Sequence, residues 1–148
     1  LTNIIGHPAY SEMMLNKSKT MFSEEQRWES VMTDDAELIL VAYGISSRVC
    51  KTAVREARAA GIKLGLIRPI TVWPFPRKAF ENLPESVKGF VTVEMSISSQ
   101  MGEDIMMAAR NSKPLYGCLT NVNIPKAKEI VDFCLDVLAG KVEPMEVI

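Results

Sequence analysis

From Asp35 onward, short apolar runs alternate four times with amphipathic stretches, and this alternation constrains the fold more than any other feature of the sequence. Such alternation is typical of βα units on a mostly parallel sheet. The first run, residues 37–43, is almost continuously apolar, as expected of a strand that helices bury on both faces. The sequence therefore predicts a three-layer α/β/α domain over residues 35–148.

The remaining predicted strands are also short apolar runs, and they cover residues 63–67, 89–95 and 115–119. A helix is predicted between the first two strands, because Val49, Cys50, Ala53, Val54 and Ala57 follow the helical period before Gly61 ends it. Pro76 and Pro125 suit the first positions of two later helices, since a missing N–H is unpaired there anyway. A further helix is expected to present Met101, Ile105 and Ala108 on one face.

Residues 1–34 have a different character, because they are rich in methionine and charge and show no strand-like run after Ile5. We expect them to form an interdomain connector with short helices. Ser23 and Gln26 have capping-box spacing for a helix reaching Met32, on which Trp28 would lie one turn away from Met32.

Composition excludes several classes of protein. The net charge of -1, without clustered Lys and Arg, argues against nucleic acid as a partner, and no apolar run approaches the ~20 residues of a membrane span. Three widely spaced cysteines, Cys50, Cys118 and Cys134, suggest neither a disulfide framework nor a metal or iron–sulfur site, so a reducing cytoplasm is expected. Because the chain begins with Leu1 instead of Met, a piece of a longer polypeptide is also expected.

Polar residues and one glycine follow the predicted strands, and they provide the candidate site. Because the carboxyl ends of parallel strands meet at one edge, we expect these residues to converge on an interface or cleft edge. They are Gly44, Ser46, Ser47, Arg68, Glu94 and Gln100.

The glycine-serine loop at residues 44–47 lacks the spacing of a dinucleotide or phosphate loop, so Ser46 or Ser47 is interpreted as a helix cap in preference to a ligand group. Glu94 is expected to accept hydrogen bonds from its loop or to pair with Arg68. The lone histidine, His7, has no carboxylate at fixed spacing. No catalytic, cofactor-binding or metal-binding residue is predicted.

Three stretches carry a family resemblance: AELILVAYGISSR at 36–48, GIKLGLIRPITVWPFP at 61–76 and GFVTVEMSISSQMG at 89–102. Together with the Gly6-His7-Pro8 segment, they resemble the alpha subunits of 2-oxoacid:ferredoxin oxidoreductases. The matching part of that subunit is like the C-terminal domain of transketolase.

The resemblance implies a parent complex that oxidatively decarboxylates a 2-oxoacid, with 2-oxoisovalerate favoured, to an acyl-CoA and reduces ferredoxin. Thiamine diphosphate, Mg, iron–sulfur clusters and CoA would serve that complex and would be bound outside this domain. Its partners would be the other subunits and domains, with ferredoxin reached through the complex. The domain itself would serve subunit assembly and cleft shaping and would be inactive alone.

Two alternatives stay open at this point. The chain could be a stand-alone α/β module that binds a small anion at residues 44–47 or has a regulatory role. It could also be the C-terminal domain of a transketolase or of the beta subunit of a 2-oxoacid dehydrogenase, although the run at residues 68–76 argues against this.

Overall fold

A computed structural model describes residues 8–146, so His7 lies outside the described residues. In chain order the elements are α1 (Pro8–Glu24), β1 (Trp28–Val31), β2 (Leu38–Val41), α2 (Gly44–Ala59), β3 (Leu64–Pro69), a 3₁₀ turn (Arg77–Phe80), β4 (Gly89–Glu94), α3 (Gly102–Ala108), β5 (Leu115–Leu119) and α4 (Ala127–Leu138). None of the helices in this part of the chain has the length and hydropathy that crossing a membrane requires.

The five strands form one sheet in the order β1-β3-β2-β4-β5. β1 is antiparallel to β3, and every other neighbouring pair is parallel. Leu40 on the central strand β2 lies beside Leu66 of β3 and Val91 of β4. All four residues of β2 are buried, which explains why its sequence is continuously apolar instead of alternating.

Helices cover both faces of the sheet. α2 and α4 pack on one face, where Cys50, Val54, Ile130 and Cys134 join the even-numbered residues of β2 in a single apolar cluster. The 3₁₀ turn and α3 cover the other face, where their apolar residues cluster with Ile39 and Phe90. The predicted three-layer α/β/α arrangement with a mostly parallel sheet is confirmed.

Residues 8–34 differ from the sequence prediction. One continuous helix, α1, replaces the expected short helices, and none of its residues is buried. The predicted helix reaching Met32 is wrong, because Trp28–Val31 form strand β1. Hydrogen bonding to β3 overrides the local i, i+4 spacing of Trp28 and Met32. The boundary between residues 34 and 35 stays a prediction, although β1 belongs to the same sheet as the later strands.

Candidate functional site

The candidate site lies where the strand order of the sheet reverses. The chain passes from β2 to β3 on one side and then crosses back over β2 to reach β4 on the other. The helices that follow β2 and β4 consequently pack on opposite faces. Such a divergence opens a crevice at the carboxyl ends of the two strands, which is the usual ligand position in open α/β sheets.

A cavity of about 170 Å³ occupies this crevice. Its walls are the segment after β2 and the end of β4 with its following loop: Tyr43, Gly44, Ile45, Ser46, Val93, Glu94, Met95, Ser96 and Gln100. Four of the six residues predicted from sequence line this cavity, namely Gly44, Ser46, Glu94 and Gln100. The structure therefore brings together residues from both strand ends, while their predicted role as an interface or cleft edge stays a prediction.

The start of α2 forms one wall of the cavity and has no side-chain cap. The predicted cap at Ser46 or Ser47 is wrong, because the chain turns at Gly44, whose φ is +57°, and the N-cap position falls on Tyr43. Both serines thus lie inside the first helical turn. Ser47 Oγ donates instead to the carbonyl oxygen of Gly44 at 2.7 Å.

Glu94 forms the opposite wall and is only 4% exposed. Its Oε1 accepts hydrogen bonds from Thr92 Oγ1 at 2.8 Å, Ser99 Oγ at 2.6 Å and the Met101 N–H at 3.4 Å. Its Oε2 accepts from the Gln100 N–H at 2.8 Å. The carboxylate thus fixes the loop between β4 and α3, as one of the two sequence interpretations proposed.

The other interpretation, a pair between Glu94 and Arg68, is wrong. Arg68 Nη1 lies 3.3 Å from Glu29 Oε2, and Glu29 also accepts from Lys51 Nζ at 2.7 Å. The hydrogen bond from Lys51 is the main cause that lowers the pKa of Glu29. Arg68 is absent from the cavity wall among the described residues, because the β1–β3 register places it directly beside Glu29.

Exposed apolar side chains follow the carboxyl ends of all four parallel strands, and sequence reasoning missed them. We call this set the apolar rim: Tyr43 and Ile45 after β2, Ile70, Val72 and Trp73 after β3, Ile97 after β4, and Val122 and Ile124 after β5. Ile97 is 82% exposed and Val122 is 77% exposed. The available signal was that Ile97, Val122 and Ile124 stand in otherwise polar loops after predicted strands.

The described residues do not fit the metal-dependent groups that the resemblance implies. Within residues 8–146, no cluster of three or more His, Cys, Asp or Glu side chains is placed to hold a metal ion. The three thiols are buried in the apolar core, and burial raises the pKa of Cys118 to about 11 and that of Cys134 to about 12. Protonated core thiols are poor cluster ligands, because the thiolate is the ligand form.

Comparison with known proteins identifies a matching family and related proteins. The family described as "Pyruvate:ferredoxin oxidoreductase core domain II" matches residues 36–124. Ketoisovalerate oxidoreductase subunit VorB of Methanothermobacter marburgensis is 59% identical over 85 residues, which are 57% of this chain and 24% of that protein. The chain thus spans about a quarter of the length of this curated relative.

Two solved structures share the fold. A 2-oxoglutarate:ferredoxin oxidoreductase from Magnetococcus marinus, with 2-oxoglutarate, coenzyme A and succinyl-CoA bound, has a TM-score of 0.72 and 18% identity and aligns with 88% of this chain and 23% of its own. A split-gene transketolase, an inactive beta4 tetramer, has a TM-score of 0.62 and 18% identity over 78% of this chain and 42% of its own. At this identity the likeness establishes the fold alone.

Proposed function

This chain belongs to the pyruvate:ferredoxin oxidoreductase core domain II family, and from that premise we propose that it is the transketolase C-terminal-like domain of a 2-oxoacid:ferredoxin oxidoreductase alpha subunit. The parent complex would oxidatively decarboxylate a 2-oxoacid to an acyl-CoA with reduction of ferredoxin. The match over residues 36–124 is the observation that carries this proposal. It contains the whole of the three stretches that carry the sequence resemblance, 36–48, 61–76 and 89–102. That resemblance is confirmed at the level of the family.

The substrate that we propose is 2-oxoisovalerate. The support is the 59% identity with a ketoisovalerate oxidoreductase subunit, which agrees with the 2-oxoisovalerate preference that the sequence resemblance implies. Mg and iron–sulfur clusters would be bound outside residues 8–146, since the described residues offer no cluster of metal ligands and only buried cysteines, and thiamine diphosphate would be bound there with its Mg. CoA would likewise serve the complex. A cytoplasmic location is part of the proposal, and the three free cysteines support it.

The role that we propose for this domain is assembly and cleft shaping, through the apolar rim. An apolar set of this extent at one edge is typical of a surface that another protein covers. We propose that the remainder of the oxidoreductase covers the apolar rim, because the related subunit is about four times as long as the segment matched here. Ferredoxin would be reached through that assembly.

The experiment uses the complete alpha subunit co-expressed with its partner subunits. We expect 2-oxoisovalerate-dependent, CoA-dependent reduction of ferredoxin by the complex and none by the 148-residue chain alone. A complex that turns over other 2-oxoacids in preference would contradict the substrate, and a complex without 2-oxoacid oxidation would contradict the function.

A second arm tests the apolar rim. Ile97→Ser and Val122→Ser remove exposed apolar groups, so they should leave the isolated chain folded but weaken assembly of the complex in size-exclusion chromatography. Leu135→Ser is the control, because Leu135 is an exposed apolar residue on α4, away from the rim. Equal assembly of all three variants would contradict the proposed role.

A further inference from the structure

The first turn of α2 presents unpaired donors to the cavity. Ser47 N–H donates to the Tyr43 carbonyl oxygen at 3.3 Å, but no described residue accepts from the backbone N–H groups of Gly44, Ile45 or Ser46. Free N–H groups at a helix start attract negative charge, because the helix dipole adds to their own hydrogen-bonding capacity.

Ser46 supplies a second and independent observation. It is only 6% exposed, and its Oγ has no hydrogen-bond partner among the described residues. Within residues 8–146, no side-chain nitrogen or oxygen that is sealed from solvent lacks a partner. The Ser46 hydroxyl therefore has solvent access, in agreement with the place of Ser46 in the cavity wall. A hydroxyl on a largely buried side chain at a cavity wall can donate to the oxygen of a ligand there.

The remaining walls restrict the ligand in size and charge. A cavity of about 170 Å³ is smaller than the roughly 300–1,000 Å³ of most ligand pockets, so it suits a molecule of few heavy atoms. Among the described residues, no Lys, Arg or His lines the cavity, and Glu94 forms part of its wall. The positive end of the α2 dipole, roughly half a unit charge, can offset one negative charge on a ligand, whereas a second negative charge would lie near Glu94 without a cation to offset it.

The cavity also has an apolar side. Ile45, Val93 and Met95 line it together with the polar groups. A ligand with one charged oxygen-bearing end and a short alkyl end would place its oxygens at α2 and its carbon atoms against these side chains.

We infer that this cavity is a binding site for a small monocarboxylate, held by the Gly44, Ile45 and Ser46 N–H groups and the Ser46 hydroxyl. The binding does not depend on the proposed function, because the cavity lies wholly within the described chain. The N–H groups and the Ser46 hydroxyl all donate to the carboxylate oxygens.

The test is an NMR titration of the complete 148-residue chain at constant pH and ionic strength, with sodium acetate as the probe. Acetamide has the same shape without the charge, and it is the matched control ligand. We expect saturable shifts of the Gly44, Ile45 and Ser46 amide resonances with acetate and none with acetamide. Inorganic phosphate at pH 8, which is mostly a dianion, should bind more weakly than acetate.

Two variants separate the assigned donors from the cavity as a whole. Ser46→Ala removes one hydrogen bond to a charged group and should weaken acetate binding about tenfold. Ser96→Ala should leave the affinity unchanged, because Ser96 lines the same cavity but donates to the Ser98 carbonyl oxygen at 2.7 Å. The wild-type titration alone tests the site if a variant is unstable.

Non-saturable shifts, an equal response to acetamide, or wild-type affinity in Ser46→Ala would overturn the inference. Tighter binding of phosphate than of acetate would overturn the inference that the ligand carries a single negative charge. Failure of this titration leaves the proposed oxidoreductase function intact, whereas failure of the complex to oxidise 2-oxoacids leaves acetate binding intact, so the two results are distinguishable.

Discussion

Replacing Glu94 by glutamine removes the charge that fixes the loop between β4 and α3 while keeping the side-chain shape. All four groups that bond to this carboxylate are donors, three on Oε1 and one on Oε2. Glutamine offers one acceptor oxygen and one NH₂ group. The favoured orientation keeps the oxygen at the Oε1 position, which places the NH₂ group against the Gln100 N–H.

The magnitude follows from this count. The Gln100 N–H loses its only described acceptor, at a cost of about 1–3 kcal/mol, and the three retained bonds change from charge-assisted to neutral. Glutamine also avoids the cost of burying a charge, which offsets part of the loss. We expect a net loss of about 2–3 kcal/mol in the free energy of unfolding, which corresponds to a Tm roughly 5–10 °C lower.

The assay is urea denaturation of the wild-type chain and Glu94→Gln at pH 7, with Glu56→Gln as the matched control. Glu56 is an exposed residue of α2 that forms no ion pair with a described residue, so its substitution should change stability by less than about 0.5 kcal/mol. If Glu94→Gln were as mild as the control, the carboxylate would not be the anchor of this loop.

Three further outcomes are expected. Because burial raises the pKa of Cys118 to about 11 and of Cys134 to about 12, both thiols should resist a disulfide reagent in the native chain at pH 8 and react in urea. In the unfolded chain the thiols ionise near pH 9, before they ionise in the folded chain. The free energy of unfolding should therefore fall by about 1.4 kcal/mol per pH unit for each thiol, from pH 9 up to its folded pKa. A free energy of unfolding that stays constant over this range would contradict the expectation. The Lys51 hydrogen bond lowers the pKa of Glu29 in the folded chain. This bond therefore stabilises the fold above the unfolded pKa of about 4.5, and the stabilisation is lost as the pH falls through the lower folded pKa. Since the Lys51 and Glu29 side chains are each about one-third exposed, solvent screens their ion pair, and Glu29→Gln should lower the free energy of unfolding by under about 1 kcal/mol at pH 7 and by nothing near pH 2. A larger loss at pH 7 in urea titrations would contradict this screening. Leu40→Ala on the fully buried β2 should cost about 2–5 kcal/mol in the same titration, and a loss below 1 kcal/mol would contradict the central position of that strand.

The parallel strands were predictable because burial on both faces requires continuous apolar sequence. β5 was predicted at residues 115–119 and is observed there, and the predicted range 37–43 contains β2. The edge strand β1 was missed, since its four residues are partly exposed and have no apolar run. Its strand conformation depends on hydrogen bonds to β3, and local sequence does not encode that partner.

By itself, the sequence determined the βα order and the polar character of the strand ends. Only the tertiary structure decided which of those ends share a cavity. Gly44 and Glu94 meet because β2 and β4 are neighbours at the point where the strand order reverses, whereas Arg68 is held by Glu29 across the antiparallel β1–β3 pair. The physical reason is that strand order and register are set by pairing between distant parts of the chain. Residues that all lie at or just after the carboxyl end of a strand therefore acquire different neighbours.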